Sequence, residues 1–161
     1  MQSSSACLPT PHCRLRDGSD LPDAVLTALA PADLIVHLGD LVTVALLDRL
    51  AGHGAAVIGV RKPTADPPAG SHPCLVDGPV IRTFGAIRCA FLRQLTEPLP
   101  DAHVIAYGVP SNGGGHDHRV ALMRGSLVVS PGSPNFAVRH QTVALLRVAD
   151  DIEVEIVHLR R

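Results

Sequence analysis

The chain has 161 residues, 46% of them hydrophobic and 18% charged, and carries a formal net charge of -1. That length suits one domain with its own apolar core, residues 1–161, in which the polar segment 1–7 is expected to be disordered. A near-neutral charge supplies no basic stripe for a nucleic-acid backbone, so that partner class is set aside. Cys7, Cys13, Cys74 and Cys89 are widely spaced with no CxxC pair, which reads as reduced thiols in a cytoplasmic protein. No apolar run approaches the roughly 20 residues of a membrane span, so no membrane partner is expected.

Leu21 to Leu29 has helical spacing, with Asp20 before it and Pro22 in its first turn. Asp33 to Leu38 is a short, nearly continuous apolar run, the pattern of a strand buried on both faces, and ends in Gly39-Asp40. Val44 to Leu50 is helical again and Gly52 stops it; Ala55 to Val60 is a second buried strand. This β-α-β order implies parallel strands with a right-handed crossover. Arg61 to Pro73, with four prolines, reads as a loop. Further strands are expected over 80–83, 87–92, 103–107, 119–123, 126–129, 142–148 and 152–159, with Asp150-Asp151 as a hairpin turn. An α/β front half and a β-rich back half suggest two sheets packed face to face with helices outside.

Four fragments in this order carry a resemblance: Leu21-Pro22-Asp23-Ala24-Val25, Asp33 to Val42 with its Gly39-Asp40, Ala56-Val57-Ile58-Gly59-Val60, and Val128-Val129-Ser130-Pro131-Gly132-Ser133-Pro134. The sequence resembles the small bacterial and archaeal phosphodiesterases of the calcineurin-like metallophosphoesterase superfamily. The resemblance implies an α/β fold, a four-layer αββα sandwich of two mixed sheets. It also implies two-metal phosphoester hydrolysis, with a bridging carboxylate and a metal-activated water. The first strand, within Ser3 to Leu8, is weakly apolar, and the helix expected after the fourth motif is missing, since only about ten residues separate Arg93 from the next strand.

By that resemblance, the first motif falls on Thr10-Pro11-His12, where the histidine remains and the carboxylate is replaced. The bridging carboxylate is Asp40. The third motif falls on Gly59-Val60-Arg61-Lys62, its amide ligand gone, and the fourth on Leu92-Arg93-Gln94, with arginine in place of histidine. The fifth has two registers, Gly108-Val109-Pro110-Ser111 without a histidine, or Gly115-His116-Asp117-His118 after an insertion. The implied metal ligands are therefore His12, Asp40, His116 and His118, a set suited to one divalent ion such as Mn or Zn. Arg61 and Arg93 replace ligands of the second metal and are the implied phosphate-binding residues. A unit charge at 4 Å is worth about 4 kcal/mol at an effective dielectric of 20, so an inward-pointing cation opposes a metal there.

Ordinary structural roles compete at each position. Asp40 suits a helix N-cap, His37 a core histidine, His116-Asp117-His118 a polar loop, and Gly132-Ser133 a turn. His53, His72, His140 and His158 have no motif support. No residue is assigned a catalytic role. Loss of two-metal hydrolysis is favoured; a non-catalytic scaffold for a phosphorylated small molecule or a protein partner, a one-metal phosphodiesterase, and a decayed copy remain open.

Overall fold

The structure is a computed structural model that describes residues 3–8 (backbone only), 19–62, 67–68, 70–113, 117–134 and 140–159. Its elements in chain order are β1 (Ser3–Leu8), α1 (Asp23–Leu29), β2 (Leu34–His37), α2 (Ala45–Ala51), β3 (Ala56–Arg61), β4 (Leu75–Asp77), β5 (Val80–Phe84), β6 (Ile87–Gln94), β7 (Val104–Val109), β8 (His118–Met123), β9 (Ser126–Pro131), β10 (Thr142–Val148) and β11 (Ile152–His158). They form a six-stranded sheet, β11-β10-β1-β2-β3-β4, and a five-stranded sheet, β5-β6-β7-β9-β8. Both are mixed. β1 to β4 run parallel, with β10 and β11 antiparallel at one side, while β6, β7 and β9 run parallel between antiparallel β5 and β8.

Strand periodicity sorts the core into layers. On β10, Ala144, Leu146 and Val148 face the second sheet and meet Phe91, Val104, Ala106 and Val129 between the sheets. The intervening Val143 faces the helices. There, Val25 and Leu29 form the buried stripe of α1, joined by Leu21 just before the helix, and Leu46, Leu47 and Leu50 form that of α2.

The outer face of the second sheet is covered differently. Residues 95–103, between β6 and β7, contain no helix. Leu95, Leu99 and Ala102 of this extended segment pack on Ala90, Leu92, Ile105, Tyr107 and Val128. The fourth layer is thus reduced to a loop, as the short spacing after Arg93 predicts.

Two expectations change. Ser3 to Leu8 is strand β1 rather than disordered chain, because its backbone lies between two neighbours, antiparallel β10 and parallel β2, and hydrogen-bonds to both. Backbone pairing does not require the apolar side chains that this segment lacks. Leu75–Asp77 is a short parallel edge strand on β3 that the proline-rich stretch before it concealed. Among the described residues, no helix is long and apolar enough to cross a membrane.

Candidate functional site

The ends of β2, β3, β6 and β7 converge where the two sheets meet. Gly39 follows β2 with φ of +91°, and Asp40 has φ of 57°. Glycine takes this left-handed conformation freely and aspartate tolerates it. A Cβ on Gly39 would overlap Cγ of Arg93 and come within 3.2 Å of the Val60 carbonyl oxygen. Gly39 is therefore the space in which the Arg93 stem lies. Gly108, in β7, makes a similar close approach: a Cβ there would collide with the Leu38 carbonyl oxygen and come within 3.0 Å of the Arg93 carbonyl oxygen.

That packing delivers Arg93 to Asp40. Its Nη2 donates to Asp40 Oδ1 at 2.7 Å, with side-chain exposures of 16% and 21%. A charge-assisted bond this short and this sheltered is stronger than a surface pair. Arg93 Nε is buried and has no hydrogen-bond partner among the described residues. Asp40 is not an N-cap: the cap position of α2 is Val44, and the first N–H of the helix, that of Ala45, is accepted by Thr43 Oγ1 at 3.4 Å.

Arg61, at the end of β3, turns to Asp77 on β4, with Nε to Oδ1 at 2.7 Å and a side chain only 10% exposed. Val60, where the resemblance places an amide ligand, is 1% exposed in the core between the sheets. Arg61, Lys62 and Arg93 line a pocket of about 290 Å³ with Gly78, Pro79, Leu92, Gln94 and Thr96. Its walls are mainly apolar.

His118 opens β8 at the same end of the molecule, beside β10 and β11. Its Nδ1 is 3.3 Å from Thr142 Oγ1, and Gly132, with φ of +78°, has no Cβ to collide with either atom. Its ring meets those of His140 and His158, with centroids 6.0 and 6.2 Å away. No motif pointed to these two histidines. The signal lay in strand register, since His158 is the cross-strand partner of Thr142. His37 is a fully buried strand residue. The alternative fifth-motif register is taken up by strand and turn: Gly108 and Val109 close β7, followed by Pro110 and Ser111.

His12 and His116, two of the four implied metal ligands, lie outside the described residues. Among the described residues, no three of His, Cys, Asp and Glu come together in a way that fits a metal ion. Asp40 engages a guanidinium and His118 a hydroxyl. The described donor set does not fit the metal centre that the resemblance implies.

Neither a protein family nor a curated protein matches the sequence. Solved structures do match it. Vps29 from Chaetomium thermophilum aligns with a TM-score of 0.70 at 19% identity, over 99% of this chain and 99% of that one. An archaeal phosphodiesterase aligns with a TM-score of 0.66 at 12% identity, over 96% of this chain and 99% of that one. Vps29 from Entamoeba histolytica, in complex with zinc, aligns with a TM-score of 0.63 at 16% identity, over 98% and 99%. The match runs essentially end to end on each side. This chain has the calcineurin-like metallophosphoesterase fold.

Proposed function

We propose that this chain is a non-hydrolytic scaffold on the metallophosphoesterase fold, binding a phosphate-bearing small molecule or protein through Arg61, Lys62 and Arg93. The observation that carries this reading is the 2.7 Å bond from Arg93 to Asp40. It places a fixed monovalent cation on the carboxylate that metal-dependent hydrolysis in this fold uses as a bridge. A guanidinium holds an oxyanion but does not lower the pKa of a bound water, so it supports binding without making hydroxide. Arg93 also lines the basic pocket together with Arg61 and Lys62, so the residue that holds Asp40 borders the space in which a phosphate oxygen would be held. The neighbouring folds include a phosphodiesterase and a zinc-bound Vps29, so hydrolysis is the reading to test against.

The test is turnover of bis-p-nitrophenyl phosphate with added Mn²⁺ or Zn²⁺, comparing wild type with Asp40→Ala. Equal background rates are expected. Metal-dependent turnover that Asp40→Ala abolishes would overturn the proposal in favour of a one-metal phosphodiesterase using Asp40 and His118 with His12 and His116. In parallel, titration with inorganic phosphate and with O-phosphoserine is expected to shift the side-chain Nε–H resonances of arginine, and Arg93→Ala to lose the effect.

A further inference from the structure

A second pocket, of about 330 Å³, lies on the outer face of the five-stranded sheet and shares no residue with the basic one. Its floor is Tyr107 on β7 and Val128 on β9, 4% and 2% exposed, with Leu95 from the loop that stands in for a helix layer. One wall is β8. Side chains alternate along a strand, with same-face neighbours about 7 Å apart. Asp117, Arg119, Ala121 and Met123 therefore line this wall in sequence. The wall runs from a carboxylate to a guanidinium and then to a methyl and a thioether.

Asp117 and Arg119 are exposed, and among the described residues neither side chain is in an ion pair or hydrogen bond. Tyr107, on the floor, is within electrostatic reach of both charges, and Ser130 Oγ on the neighbouring strand donates to the Asp117 carbonyl oxygen. This polar end selects by charge. A simple anion would meet Asp117, a simple cation would meet Arg119, and an apolar molecule would strip water from both without replacing it. A ligand with both charges on adjacent atoms, followed by an apolar tail, satisfies every group. The volume is at the small end of the roughly 300–1,000 Å³ range of ligand pockets, which suits a molecule of amino-acid size.

We propose that this pocket binds a free α-amino acid with an apolar side chain, its ammonium on Asp117, its carboxylate on Arg119 and its tail over Ala121 and Met123 against Val128. The test is titration of ¹⁵N-labelled full chain with L-leucine, followed by amide shifts on β7, β8 and β9. The single-charge analogues 4-methylpentanoate and 3-methylbutylamine are run beside it. Saturable shifts with leucine are expected at millimolar concentration, with each analogue weaker by about tenfold or more, the worth of one charge-assisted bond. Asp117→Asn and Arg119→Gln are each expected to weaken leucine by a similar factor while melting like wild type, because both side chains are exposed. Ala121→Leu, which fills the groove, is expected to abolish binding. Absence of shifts with leucine, analogues that bind as well as leucine, or unchanged binding in both charge variants would overturn the proposal. None of these outcomes depends on the Asp40–Arg93 site.

Discussion

The Arg93 guanidinium reaches from the end of β6 in one sheet to Asp40, just beyond β2 in the other, and closes on it at 2.7 Å. The bond joins residues 53 positions apart. Removing either partner leaves a sheltered charge without its counter-charge, a larger loss than the net worth of the pair. Arg93→Ala and Asp40→Asn are each expected to cost about 1–3 kcal/mol, between the values for surface and buried pairs. In a chain of this size that is a fall of roughly 3–10 °C in melting temperature. The double variant should cost clearly less than the two singles added, which a thermal double-mutant cycle measures. Strict additivity would mean that the pair contributes nothing to folding.

Gly39→Ala tests the same contact from the backbone. The new methyl group meets both a positive φ and the Arg93 stem, so the side chain has to leave or the loop has to shift. A loss of about 2–4 kcal/mol is expected, at the upper range for strain plus overpacking. In an Arg93→Ala background the overlap with Cγ disappears, while the φ strain and the tighter-than-usual approaches to the residue-93 Cβ and the Val60 carbonyl oxygen stay, so the penalty should shrink to about 1–2 kcal/mol. An undiminished penalty would show that Arg93 is not what Gly39 accommodates.

Much of this arrangement was legible in the residues, and the missing parts have physical causes. The buried strands β2 and β3 declare themselves as nearly continuous apolar runs, and α1 and α2 by the helical spacing of their leucines and valine. β1 does not, because a strand held by backbone bonds to two neighbours needs no apolar side chains of its own. β4 is only three residues long, too short for any period to show. At the site, replacement of metal ligands by Arg61 and Arg93 was visible, whereas their partners were not: Asp77 and Asp40 are chosen by three-dimensional proximity. His140 and His158 gather around His118 through a hairpin register that motif spacing does not encode.

Leu95 tests the substitute for the missing helix. It is 9% exposed and roofs Leu92, Tyr107 and Val128. Leu95→Ala should cost about 2–3 kcal/mol, the lower end for a core leucine, because a loop collapses into the space more readily than a helix does. Denaturant unfolding with an unchanged m-value is the expected record. A cost below about 0.5 kcal/mol, the range of surface substitutions, would show that the loop does not seal this face.

Cys89 gives a pH dependence with a definite sign. It is fully buried on β6 between the sheets, and desolvation raises its thiol from 9.0 to about 11. The folded chain therefore keeps a proton that the unfolded chain releases once the pH passes about 9. Stability falls as pH rises wherever the native state holds more protons, so this group's contribution is intact below pH 9 and is lost progressively up to about pH 11. The full difference is on the order of 2–3 kcal/mol. Tyr107, shifted in the same direction mainly by burial, adds to the decline. Cys89→Ala should lower stability at pH 7 yet flatten the curve between pH 9 and 11. In wild type at pH 8, a thiol reagent should modify half-buried Cys74 well before Cys89, which becomes reactive only on unfolding. Equal rates for the two thiols, or an alkaline slope untouched by Cys89→Ala, would contradict this assignment.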